Sequence, residues 1–153
     1  IAMRIGLLSD THGDLDPAVF DYFAECDELW HAGDVGSVDI LDALNAFRPT
    51  RAVWGNIDGQ DVRRRLAEVL EWECEGMLFR MIHIAPKRRA GGGPMLVCGH
   101  SHILRIAPGY LNPGACGHHG WHKERTVLRF SVDGGKLGGM EVVHLGPRGR
   151  RQS

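Results

Sequence analysis

Residues 3–8 form an apolar run broken only by Arg4 and Gly6, the pattern of a buried strand. It ends in a polar loop, Ser9-Asp10-Thr11-His12-Gly13-Asp14. A helix is predicted from Asp16, a favourable N-cap, with Pro17 in the first turn and Val19, Phe20 and Phe23 at helical spacing. The same layout recurs twice. Residues 28–32 read as a strand ended by Gly33-Asp34, before a helix capped by Ser37 that carries Ile40, Leu41 and Leu44 on one face. Residues 51–54 read as a third strand ended by Gly55-Asn56, before a short helix holding Val62 and Leu66. Strand and helix in alternation imply parallel strands with crossover helices. In such sheets ligands bind beyond the carboxyl ends of the strands.

The second half has a different rhythm. Strands are predicted over 69–73 and 78–84 around a turn at Gly76, and over 95–98, ended by Gly99-His100-Ser101-His102. Between them Lys87-Arg88-Arg89 and Gly91-Gly92-Gly93 make a loop. Short strands over 103–107 and 110–111 precede Asn112-Pro113-Gly114, and a hairpin over 125–132 and 139–145 turns at Asp133-Gly134-Gly135. The tail from Pro147 is expected to fray. No internal repeat or linker divides the chain, so a single domain is expected over 3–147, with Ile1 and Ala2 preceding a natural start at Met3 and 148–153 disordered.

Composition narrows the function classes. The chain has 153 residues, 43% hydrophobic and 24% charged, which suits one folded domain. Its formal net charge of −1 argues against bulk electrostatic binding to nucleic acid or a membrane surface. No apolar run approaches the roughly 18 residues that span a bilayer. Cys26, Cys74, Cys98 and Cys116 are scattered, without a C-x-x-C pair, so reduced thiols and a cytoplasmic location are expected. Two counts depart from the ordinary: Gly is 21, and His is 9, with several histidines beside Asp, Asn or Gly.

The polar residues that close the predicted strands form one ordered set: Asp10 and His12, Asp34, Asn56, His83, and His100 and His102. Singly, most have bland readings. Asp-x-His caps a loop, Gly-Asp and Gly-Asn are ordinary turns, and a lone His is a satisfied core residue. Gly-His-Ser-His is less ordinary, because no turn needs that alternation. As a set they are oxygen and nitrogen donors without thiolate, suited to manganese, iron, nickel, cobalt or zinc. They exceed what one site needs beside solvent. With one carboxylate shared they suit two cations, a clamp for in-line displacement at phosphorus.

In this order, Ser9-Asp10-Thr11-His12-Gly13, Gly33-Asp34, Gly55-Asn56-Ile57-Asp58, His83, Gly99-His100-Ser101-His102 and Asn112-Pro113-Gly114 resemble the calcineurin-like metallophosphoesterases, in particular their small bacterial and archaeal branch. The resemblance runs from Met3 to Leu145. It implies an α/β fold of two mixed β-sheets packed as a sandwich and flanked by helices. It implies that Asp10, His12 and His102 hold one metal, that Asp34 bridges, and that Asn56, His83 and His100 hold the second. Two divalent ions are thus the expected cofactor, manganese first. The implied activity is hydrolysis of phosphodiesters or phosphomonoesters by hydroxide held between the metals, with Asn56 and His83 toward the phosphoryl oxygens and no protein nucleophile. The expected partner is a phosphate-ester small molecule or nucleotide, with nucleic acid and a homo-oligomer held open and no membrane.

The chain departs from the family pattern in four places. Ile57 stands where many members place a His that protonates the leaving group, so turnover is expected to favour good leaving groups or a proton from bound water. Ile84 replaces a Gly after His83, which predicts an altered local backbone. The 87–93 loop replaces a helix, which predicts an open site. Ala115 stands where relatives often carry Ser. A relative of this branch acts as a scaffold in the retromer coat, so the alternative is a non-catalytic metal-binding interaction module. His118, His119 and His122 with Trp121 are read as a solvated loop ahead of a further metal or phosphate contact, Arg63-Arg64-Arg65 as a charged helix face ahead of a patch that attracts anionic substrate, His31 as a neighbour of the ligands or simply buried, and Asp58 as orienting a ligand or closing its own turn.

Overall fold

The computed structural model describes residues 2–87 and 92–149. Arg88, Arg89 and the end of the tail, on which two of the expectations above fall, lie outside the described residues. The element order is β1 (Met3–Leu8), α1 (Ala18–Tyr22), β2 (Glu28–His31), α2 (Val38–Phe47), β3 (Thr50–Ala52), α3 (Gln60–Arg63), β4 (Val69–Cys74), β5 (Met77–Ile82), β6 (Met95–Val97), β7 (Leu104–Ala107), β8 (Tyr110–Pro113), β9 (Glu124–Asp133) and β10 (Lys136–Pro147). They build two five-stranded mixed sheets, ordered β10-β9-β1-β2-β3 and β4-β5-β6-β8-β7.

The expected parallel core is present: β1 pairs parallel with β2, and β2 with β3. The hairpin β9–β10 then joins the other edge of β1 antiparallel, which makes the sheet mixed. Side-chain alternation along β1 decides what each face does. Ile5 and Leu7 enter the core between the sheets, with Phe79, Met81, Val97 and Leu111 of the second sheet. Leu8 faces the helices, among Val19, Phe23, Ile40, Leu41, Leu44 and Val62. Gly6 sits on that helix side because the Phe23 ring fills the space: a Cβ there would lie 2.7 Å from the ring.

Trp30 of β2 is fully buried between the sheets. Its ring centroid lies 4.8 Å from both Trp72 and Phe79, in edge-on contacts that join the sheets. Such pairs add about 0.5–1.5 kcal/mol each beyond area burial.

The helices are short and all three pack on the first sheet. α2 starts as expected, with Ser37 Oγ accepting from Asp39 N–H. α1 is shorter than the pattern suggested, and Asp16 still caps its first turn by accepting from Ala18 N–H. On the outer face of the second sheet only Leu96, Cys98 and Tyr110 form a small buried cluster, and no helix covers it among the described residues. The described part of the connection between β5 and β6 holds no helix, where the 87–93 loop is read as replacing one. β10 extends to Pro147, and Arg148 N–H donates to Lys123 O, so pairing continues to where fraying was expected to begin. No helix among the described residues is long and apolar enough to cross a membrane.

Candidate metal centre

The loops that follow β1, β2, β3, β5 and β6 meet at one end of the sandwich. Those after β1 and β2 run side by side, held by Asp10 N–H to Gly33 O, His12 N–H to Asp34 O and Gly13 N–H to Val35 O. The loops after β5 and β6 join through Gly99 N–H to His83 O. Backbone pairing beyond the strand ends therefore sets where each polar side chain starts.

Five of the seven sequence-predicted residues adopt the left-handed backbone conformation: Asp10, His12, Asp34, His100 and His102 have φ of 55, 49, 56, 71 and 61°. This conformation is unfavourable for residues with a Cβ, and it gathers where structure serves function. Ile84 does not adopt it, so the backbone after His83 places no demand for glycine. The backbone there accommodates Ile84, whose side chain is about half exposed.

The seven side chains converge. Asp10, His12 and His102 bring one donor atom each within 4.8 Å of one another, and so do Asp34, His83 and His100. Asp10 Oδ1 lies 3.3 Å from His102 Nε2 and 3.6 Å from His12 Nε2. Asp34 Oδ2 lies between the two groups, 3.4 Å from His12 Nε2 and 3.1 Å from His83 Nε2. Asn56 Oδ1 is 3.1 Å from His100 Nδ1.

The residues fit metal ions on the state of their buried atoms. Asp10 Oδ1, His12 Nε2 and His83 Nε2 are shielded from solvent and make no aligned hydrogen bond. Buried polar atoms are normally satisfied, and donors aimed at one point without partners are what a cation requires. The opposite edges are held. Asp10 Oδ2 accepts from Ser9 Oγ at 2.5 Å and from His100 N–H. Asp34 Oδ1 accepts from Ile57 N–H. His83 Nδ1 donates to Ala32 O at 2.7 Å, leaving Nε2 as the free donor atom.

Electrostatics agree. Burial opposes ionisation of Asp10, but His102, His12, His83 and the Ser9 hydroxyl outweigh it and hold its pKa well below the usual carboxylate range. Burial likewise opposes charge on His83, while Asp34 and Asp10 prevail and raise its pKa. His31, fully buried behind the site, is pushed down to about 4 by desolvation. Thr11 Oγ1 donates to Val35 O, so it accepts from His31 Nε2–H, and His31 Nδ1 accepts from Gly33 N–H. His31 is thus a neutral brace between two ligand loops.

Two roles were not resolved by the sequence. Asp58 is buried and accepts three backbone N–H groups, from Val35, Gly36 and Gly55, so it ties the Asp34 loop to the Asn56 loop. Asn112 Nδ2 donates to Gly99 O, and Asn112 Oδ1 accepts from Gly114 N–H, so it fixes the turn that carries His100 and His102. An Asp or Asn within three residues of a glycine in a loop signals a backbone clamp, but not which distant loop it clamps.

The histidine-rich loop is closer to the centre than a solvated reading implies. His119 stacks on His12 with ring centroids 4.7 Å apart, and His122 meets His102 edge-on at 5.1 Å. His118 points away, to Asp14 and the Arg148 carbonyl. Arg63 lies over the Trp54 ring and bonds Asp58 O, a structural role.

The match of a family model decides the kinship: the calcineurin-like phosphoesterase superfamily domain aligns with residues 3–135. The chain belongs to the calcineurin-like phosphoesterase superfamily. A probable metallophosphoesterase of Methanothermobacter thermautotrophicus is 34% identical over 94% of each chain. One of Methanocaldococcus jannaschii is 42% identical over 86% of this chain and 77% of its own length. Among solved structures, zinc-complexed Vps29 of Entamoeba histolytica matches with a TM-score of 0.72 at 14% identity, covering 96% of this chain and all of that one. The phosphoesterase YfcE of E. coli matches with a TM-score of 0.67 at 19% identity, covering 91% and 98%. The last two are likenesses of fold.

Proposed function

We propose that this member of the superfamily is a dinuclear metal-dependent phosphohydrolase acting on phosphodiesters, with monoesters as the lesser substrates. The observation that supports it most is the pair of donor groups on either side of Asp34, with buried, unsatisfied atoms turned inward. Asp10, His12 and His102 would hold one ion, Asn56, His83 and His100 the other, and Asp34 both. Manganese is the first choice, with iron, nickel, cobalt or zinc suited by the same donors. Two divalent ions bound there supply an activated water and offset charge on the phosphoryl oxygens.

The protein's own groups do the rest. Ser9 and the His100 N–H fix Asp10, and the Ile57 N–H fixes Asp34, so neither carboxylate needs to reorganise when substrate arrives. Asn56 and His100 are exposed and line the cleft, which supports a role for the amide toward a phosphoryl oxygen. Ile57 beside them offers no proton.

The test is hydrolysis of bis(p-nitrophenyl) phosphate by chelator-stripped protein, with and without Mn²⁺. Turnover should require metal and fall by at least about 10³-fold in Asp34→Asn, since an interaction made chiefly in the transition state is lost. Folded protein inactive with every divalent metal would refute the reading in favour of the interaction module.

A further inference from the structure

Above the candidate centre lies a cleft of about 480 Å³, within the range of small-molecule sites. Its floor is polar, and its rim sets three large apolar side chains beside the exposed Asn56, His100, Ser101 and His119. Ile57, Ile103 and Trp121 line it and are 45%, 67% and 96% exposed. No Lys or Arg among the described residues lines it. Apolar side chains of this size are usually withdrawn from water, and here three stand at the rim of one concavity. They come from three separate loops, after β3, after β6 and before β9, so chain proximity does not explain their meeting.

The charge layout restricts what can sit there. Asp10 and Asp34 carry two negative charges at the floor, so two divalent cations leave a net positive point suited to one phosphoryl group. Beyond that point no Lys or Arg among the described residues lines the cleft, and the basic side chains of Lys123 and Arg148 line an adjoining groove on the Trp121 side instead. A nucleic-acid backbone or a nucleoside polyphosphate would set unneutralised charge against Ile57 and Ile103, and this disfavours both. A flat, uncharged substituent has the opposite match, with an exposed indole to stack on and two branched aliphatic walls.

We propose that Trp121, with Ile103 and Ile57, forms a stacking subsite for a planar aromatic substituent, an aryl group or a single nucleobase, on a phosphodiester whose phosphoryl group is processed at the metal centre. This rests on the hydrolase reading above. The subsite sets specificity and takes no part in the chemistry.

The test compares two diesters with one leaving group: thymidine 5′-(p-nitrophenyl phosphate) and methyl p-nitrophenyl phosphate, with Mn²⁺-loaded protein. Base–aromatic stacking predicts a kcat/KM preference for the thymidine ester of about tenfold or more, carried mainly by KM. Trp121→Ala, at a site with almost no packing to lose, should bring the ratio to within about twofold of one. A second arm reads binding without turnover. Thymidine 5′-monophosphate should quench tryptophan emission of the Mn²⁺-loaded protein, methyl phosphate should not, and Trp121→Ala should abolish the quenching. Equal rates for the two esters, or a preference that survives Trp121→Ala, would overturn the subsite. So would a dimer in sedimentation that Trp121→Ala dissolves, which would assign the face to self-association. If neither ester turns over, the hydrolase reading fails alone, and the quenching arm still decides the subsite: quenching lost in Trp121→Ala upholds it, and no quenching overturns it.

Discussion

Replacing Asp58 by Asn should loosen the candidate centre from behind, without touching any of its donor atoms. The carboxylate is 3% exposed and accepts from Gly36 N–H at 2.8 Å through Oδ1, and from Gly55 and Val35 N–H at 2.8 and 3.1 Å through Oδ2. An amide of the same shape must turn its NH₂ toward one side. The better orientation faces Gly36, keeping two bonds and losing one. A hydrogen bond to a charged acceptor contributes about 1.5–3 kcal/mol and a neutral one about 0.5–1.5 kcal/mol. One charged bond lost and two made neutral sum to about 3.5–6 kcal/mol, and relief of the buried charge offsets part, leaving about 3 kcal/mol. At about 2–4 °C per kcal/mol for a chain of this size, Tm should drop by about 6–12 °C. Urea and thermal unfolding of the metal-free protein measure this directly. Because Gly55 precedes Asn56 and Val35 follows Asp34, Mn²⁺ affinity by calorimetry should also fall, by about tenfold. A stability change below about 0.5 kcal/mol, against the ordinary scatter of surface substitutions, would refute the clamp. A full stability loss with unchanged Mn²⁺ affinity would refute its link to the centre.

Further predictions concern other parts of the fold. Arg125 bonds Asp16 at 2.7 Å and lowers its pKa, so this pair stabilises fully above the unfolded carboxylate value near ~3.9 and is lost as pH falls through the lower folded value. Urea midpoints of wild type and Asp16→Asn should therefore diverge above about pH 4 and converge as pH falls through the lowered folded value, and a constant gap would refute the assignment. At Gly55 an added Cβ would lie 2.1 Å from Asp34 Oδ1, so Gly55→Ala should cost at least about 1–3 kcal/mol and weaken Mn²⁺ binding, whereas Gly138→Ala, with open space around it, should do neither. Cys26, Cys74, Cys98 and Cys116 are all buried, and desolvation pushes Cys116 up to about 12 and Cys26 to about 11. Ellman's reagent at pH 8 should find these thiols silent in native protein and reactive in urea, and rapid native labelling would contradict the packing.

Much of the fold was legible because it is written in local periodicity. The apolar run of β1, the Ser37 cap of α2 and the face carrying Ile40, Leu41 and Leu44 are short-range patterns, and the structure has them where the pattern put them. The β9–β10 hairpin was equally plain, since two glycines permit its turn. What was missed has non-local causes. α1 stops at Tyr22, with Phe23 turned into the space above Gly6 of β1. His119 is exposed, in keeping with the solvated reading, yet its ring stacks on a histidine more than a hundred positions away in the chain, which no local pattern signals.

The sequence by itself determined the chemical inventory: carboxylates, imidazoles and an amide at strand ends, in an order that marks the superfamily, together with strands and helices set by hydrophobic period. Tertiary structure decided the rest. It brought five loops to one end of the sandwich, set the left-handed backbone at five of the seven positions, and made Asp58 a clamp between loops. It also placed Ile57, Ile103 and Trp121 around one mouth. The physical reason is that periodicity reports only which face of an element is buried. Which faces meet depends on sheet order and packing, and these are settled by contacts between residues far apart in the chain.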